Sequence, residues 1–124
     1  MTSAKHALHV CVTCRRPDWV ADRPRDGRTL FEMVEALYLG WPRRHEIALK
    51  PIECLSGCDR SCTVAVSAEG KPGYLFGDKL PTQETAAAAL DLAAQYLDSA
   101  DGTLPRGERP ALFRGGILAR IPSP

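Results

Sequence analysis

Hydrophobic and polar positions change their period along the chain, and each change marks an element. Leu8, Val10 and Val12 alternate with His9 and Cys11, so residues 7–13 are predicted to form a strand that runs into Cys14. Residues 15–27 lose the alternation and contain Pro17, Pro24 and Gly27. They predict a loop of about a dozen residues, a length that is usually functional or mobile. The spacing then becomes helical: Leu30, Met33, Val34, Leu37, Tyr38 and Trp41 form one stripe, expected to face the core. Thr29 with Glu32 has the form of a capping box, Asp26 is the alternative cap, and Gly40 with Pro42 ends the helix. Residues 45–52 predict a second strand with Ile47, Leu49 and Ile52 inward, and residues 63–67 predict a third. Residues 69–73 carry a turn signal, and Tyr74-Leu75-Phe76 completes a hairpin. Residues 81–97 predict a second helix, capped by Thr82, whose buried face is Ala86, Leu90, Ala93 and Leu97. From Asp101 onward the chain is rich in Pro, Gly and Arg, and Leu112, Phe113, Ile117, Leu118 and Ile121 are expected to dock this tail onto the body.

The resulting order is βαββα. The connection from the first strand through a helix to the second should be a right-handed crossover, which makes those strands parallel. The hairpin adds antiparallel strands. The expected fold is therefore α/β (α+β), with a thioredoxin-like layout in which helices pack on a small mixed sheet. At 124 residues the chain is expected to be a single domain, 1–124, with 101–124 as its docked tail. A chain of this length can bury a core without cross-links.

Sixteen basic and fifteen acidic residues nearly cancel, so bulk charge suggests neither nucleic acid nor membrane as a partner. The arginines do cluster. Arg15, Arg16, Arg23, Arg25 and Arg28 follow the first cysteines, and Arg43, Arg44 and His45 form a second basic run. Such runs are solvated surface or a docking face for an acidic redox partner. No signal peptide is visible, and no run approaches the about 20 apolar residues of a membrane helix. The expected location is cytoplasmic.

Charge and pattern leave the five cysteines unexplained. They fall in two stretches, Cys11-Val12-Thr13-Cys14 and Cys54-Leu55-Ser56-Gly57-Cys58-Asp59-Arg60-Ser61-Cys62. An odd number cannot all pair internally, and grouped cytosolic cysteines point to metal or redox chemistry. Both groups follow predicted parallel strands, and loops after neighbouring parallel strands lie at one end of a sheet. Thiolates suit iron–sulfur clusters and zinc. A zinc site would need four cysteines, or three with a nitrogen ligand such as His9 or His45. A dithiol oxidoreductase would want a helix starting directly after the CxxC pair to lower a thiol pKa, and the long loop argues against it. Ser56 and Ser61 read as turn residues, with no base placed to activate them, and Asp59 as a turn or surface residue. Arg15 and Arg60 are candidate hydrogen-bond donors for tuning a cluster.

At Cys11 and Cys54-Leu55-Ser56-Gly57-Cys58 the sequence resembles the thioredoxin-like [2Fe–2S] ferredoxins. The resemblance implies cluster ligands at Cys11, Cys54 and Cys58. The second ligand of those ferredoxins commonly lies deep in the long loop, where this chain has no cysteine, so Cys14 stands in, with Cys62 the less favoured alternative. The chain is also similar, over nearly its whole length, to a family of small bacterial predicted metal-binding proteins of unknown function. The shared marks are Cys11-x-x-Cys14-Arg15-Arg16, Cys54-Leu55-Ser56-x-Cys58-x-Arg60-x-Cys62, Tyr74-x-Phe76-Gly77-Asp78, and Asp101-Gly102 through Arg109-Pro110 to Ala119-Arg120-Ile121-Pro122. These likenesses imply a non-enzymatic one-electron carrier with a [2Fe–2S] cluster, exchanging electrons with a reductase and an acceptor enzyme. They also imply a homodimer and, from the family's gene neighbourhoods, service to cobalamin biosynthesis. The alternatives are a zinc- or iron-binding accessory protein without redox cycling and a dithiol oxidoreductase.

Overall fold

The computed structural model describes residues 5–53 and 60–123. Its elements are β1 (His6–Cys11), α1 (Asp26–Leu39), β2 (Ile47–Ile52), β3 (Val64–Ala68), β4 (Lys71–Phe76), α2 (Gln83–Asp98) and β5 (Ile117–Ile121). They build a five-stranded sheet in the order β2-β1-β3-β4-β5. β1 and β2 are parallel, with Leu8 opposite Leu49 and Cys11 opposite Ile52, and the remaining pairs are antiparallel. The expected α/β layout and crossover are therefore present, with one strand more than the sequence pattern indicates.

Burial follows the strand period. Leu8, Val10, Val64, Val66, Tyr74 and Phe76 are buried, whereas His9, Ala65, Ser67 and Leu75 between them are half-buried. Both helices pack on the first face, against each other and against β1 and β3. α2 matches its prediction: the Thr82 side chain accepts the amide of Thr85 at 3.2 Å, and the small Ala86, Ala89 and Ala93 are fully buried. Tyr96 closes the lower core by donating its hydroxyl to Pro72 O at 2.7 Å.

Three expectations change. α1 starts at Asp26 rather than Thr29, and no side chain caps it. Asp26 instead accepts the Arg16 amide at 2.7 Å, which places a carboxylate in the first turn, where the helix dipole favours it. On the helical stripe, Leu30 and Val34 are fully buried and Phe31 joins them, but Leu37 is 39% exposed. Trp41 packs against the core from beyond the helix end.

The tail is the third change. It contributes β5, with Leu75 opposite Ala119, and buries Phe113 edge-on against Phe76 at 5.2 Å. Leu112, Ile117 and Ile121 stay exposed, because an edge strand and the turn before it each have only one covered side. At the rims of the sheet, Lys50 and Pro51 of β2 are exposed, as are Arg120 and Pro122 at the end of β5.

Replacing Phe113 with alanine should cost about 3–5 kcal/mol in urea unfolding, because it empties a fully buried aromatic site. A loss below 1 kcal/mol, roughly that of a surface change, would show that the tail is not part of the core.

His9 on the half-open face donates to or accepts from Ser67 Oγ at 3.0 Å through Nε2, and its Nδ1 is buried without a partner among the described residues. Burial, aided by Lys50, lowers its pKa below 6.5. The unfolded chain then binds the proton more tightly. Stability present above pH 6.5 should therefore fall as pH drops through the folded-state value. His9→Gln should flatten that dependence in urea titrations at a series of pH values.

Candidate metal centre

The site begins where β1 ends. Cys11 stays tied to the sheet through its amide, which donates to Thr63 O at 3.2 Å, and Val12 N reaches Ile52 O at 2.8 Å. The chain then turns through Thr13 to Cys14, whose carbonyl accepts the Gly27 amide at 2.9 Å. A Cβ at Gly27 would lie 2.0 Å from Cys11 O and 3.1 Å from Cys14 N, so only glycine permits this contact. The first turn of α1 thus lies directly against the CxxC turn. The intervening loop does not carry the helix away; it returns it.

The Cys11 and Cys14 side chains are hydrogen-bonded to each other, and Cys14 Sγ is 3.5 Å from Thr63 Oγ1. The Cys11 bond and burial together raise the Cys14 pKa strongly, against smaller lowering contributions from the Thr63 and Ser61 side chains. Cys62 is fully buried and pushed up to about 12 by burial, with Asp26 adding to the rise and Arg16 opposing it. The first turn of α1 lies against the Cys11–Cys14 pair, yet the Cys14 thiol is pushed up rather than down.

Glu53, the residue before Cys54, sets its carbonyl oxygen 3.7 Å from Cys11 Sγ and accepts the Thr13 hydroxyl. Cys54, Leu55, Ser56, Gly57, Cys58 and Asp59 lie outside the described residues. On the far side, Arg60 makes a bidentate pair with Asp78 that raises the arginine's pKa and holds the carboxyl below its usual range. A Cβ at Gly77 would sit 2.7 Å from Arg60 O. Cys62 exchanges both backbone hydrogen bonds with Lys79. Arg16 turns inward and donates to Ser61 O at 2.9 Å.

Several sequence assignments shift. Ser61 is a buried neighbour of Cys14, not a surface turn residue. Arg60 pairs with Asp78, and Arg15 stacks on Trp19 at 5.6 Å. His9 Nε2 is engaged with Ser67 and His45 is exposed. Thr63 and Lys79 support the site with no sequence signal for that role, and Asp26 and Gly27, read from the sequence as a helix cap and a loop glycine, support it as well. Among the described residues, no group of three or more His, Cys, Asp or Glu side chains is arranged to hold a metal ion.

A sequence profile described as Protein of unknown function (DUF1636) matches residues 8–123. The chain belongs to this family. None of the curated proteins matches it. Two solved structures share its fold, both thioredoxin-like [2Fe–2S] ferredoxins from Aquifex aeolicus. One is 16% identical, with a TM-score of 0.57 over 94% of this chain and 93% of that one. The other is 17% identical, with a TM-score of 0.52 over 76% of this chain and 86% of that one. At such identity the likeness establishes a thioredoxin-like fold for this DUF1636 chain. No helix in the described residues is long and apolar enough to cross a membrane.

Gly27→Ala should destabilise this family member by about 1–3 kcal/mol in urea, because helix and turn must part to admit the methyl group. The amide signals of residues 11–14 should shift with it, and a neutral substitution there would refute the close approach.

Proposed function

We propose that this protein is a one-electron carrier holding a [2Fe–2S] cluster through Cys11, Cys14, Cys54 and Cys58. The observation that carries the reading is the buried, mutually hydrogen-bonded thiol pair of Cys11 and Cys14 beside the residue that precedes Cys54. Two adjacent buried thiols resist joint ionisation, and a soft cation is what removes that resistance. The described residues fit two of the four ligand positions, and the fold likeness to [2Fe–2S] ferredoxins supports the remainder.

When bound, such a cluster accepts and returns single electrons without proton or group transfer. The chain's own part is positional. Gly27 and Thr63 orient Cys14, Glu53 O and Thr13 orient Cys11, and the Arg60–Asp78 pair holds the exit of the 54–59 segment. Cys62 packs within the apolar cluster, which Cys14 does not join, and this favours Cys14 as ligand over Cys62. The partners of this reading are a reductase and an acceptor enzyme. On the resemblance alone, we assign the acceptor to cobalamin biosynthesis.

Anaerobically purified protein should be red-brown, with thiolate-to-iron bands that bleach on dithionite addition. Colourless protein with one zinc per chain would sink the reading. Cys11→Ser and Cys14→Ser should abolish or shift the bands, and Cys62→Ser should leave them. The reverse pattern for Cys14 and Cys62 would transfer the fourth ligand position to Cys62.

A further inference from the structure

Two basic runs are present, and the structure treats them differently. Arg43 is spent internally, in bidentate contact with Glu46 and Asp98, and Arg44 donates to Trp41 O. In the loop after the CxxC turn, Arg16 is turned inward, and Arg23 pairs with Asp18 and Asp26. Arg15, Arg25 and Arg28 remain exposed, and none has a carboxylate partner among the described residues.

These three are nevertheless held in place. Arg15 and Arg25 both lie over the Trp19 ring, at 5.6 and 4.9 Å from its centroid, and Trp19 Nε1 donates to Pro24 O at 2.9 Å. Arg25 also donates to Thr13 O at 3.1 Å, which ties the stack to the CxxC turn. Arg28 lies over Phe31 at 5.8 Å. Two like charges sharing one ring repel each other, and an anion between or beside them relieves that repulsion. Stacking also removes part of the side-chain entropy that binding would otherwise cost.

We propose that the Arg15–Trp19–Arg25 stack, together with the exposed Arg28 in the first turn of α1, is a docking face for an acidic surface of a partner protein. That this partner exchanges electrons rests on the cluster reading above, since the face adjoins Cys14. The observations favour a discrete acidic patch over a nucleic acid. The arginine stack is a local cluster on one loop rather than an extended basic track, and the whole chain carries only +1 net charge.

The test is fluorescence anisotropy of labelled poly-L-glutamate titrated with the protein as purified, at several salt concentrations, with a single-stranded oligothymidylate as the competing probe. Binding should weaken steeply with salt, and Arg15→Glu with Arg25→Glu should reduce affinity at low salt by about tenfold or more. Arg15→Glu with Arg28→Glu, which leaves the Arg25 bond to Thr13 O intact, should behave alike and guards against a folding defect. Lys5→Glu with Lys50→Glu makes the same change of charge elsewhere on the surface and should have little effect. Equal losses from the lysine pair, tighter binding of the oligothymidylate, or no binding would each overturn the proposal. Binding by an iron-free, colourless protein would keep the acidic docking face and remove the partner's redox role. A red-brown protein indifferent to polyglutamate would remove the face and leave the cluster.

Discussion

Everything at the functional end depends on one backbone contact with no room for a side chain. Gly27, in the first turn of α1, lies against the carbonyl of Cys11 and the amide of Cys14. Because helix and turn touch there, the loop between them must leave and return within a few residues of the same point. Asp26 closes that circuit by accepting the Arg16 amide. Arg16 then reaches the opposite side of the site through Ser61 O, and Thr13 reaches Glu53. Segments distant in sequence are thereby held in register by bonds that each join a side chain to a main-chain group.

The electrostatics of the buried thiols follow from this packing. Exclusion of water penalises the charged form, and closeness of two sulfurs penalises it again. Cys14 experiences both, through its bond to Cys11 and its burial, while Cys62 experiences mainly burial. A surface CxxC with a lowered pKa would suit nucleophilic exchange. A buried CxxC pair whose Cys14 thiol is pushed up suits a role in which that thiol ionises only together with a bound cation.

Most of the architecture was legible in the alternation of Leu8, Val10 and Val12, in the helical stripe around Leu30 and Val34, and in the Thr82 cap. β5 was not, because Ile117-Leu118-Ala119-Arg120-Ile121 pairs on one side only, and edge strands show weak periodicity. α1 begins at Asp26, three residues before the local capping signal at Thr29, with Gly27 packed against Cys11 O. At the centre, residue types pointed to Cys11 and Cys14 directly. Their supports could not be read, since Thr63, Lys79 and Asp26 act through distances that only the fold creates.

The rims of the sheet have a consequence for how copies of this chain meet. Lys50 and Pro51 stand at one outer strand and Arg120 and Pro122 at the other. A proline offers no amide to an incoming strand, and a charge resists losing its water, so neither edge is a good template for lengthening the sheet. Self-association through end-to-end strand addition is discouraged on both flanks.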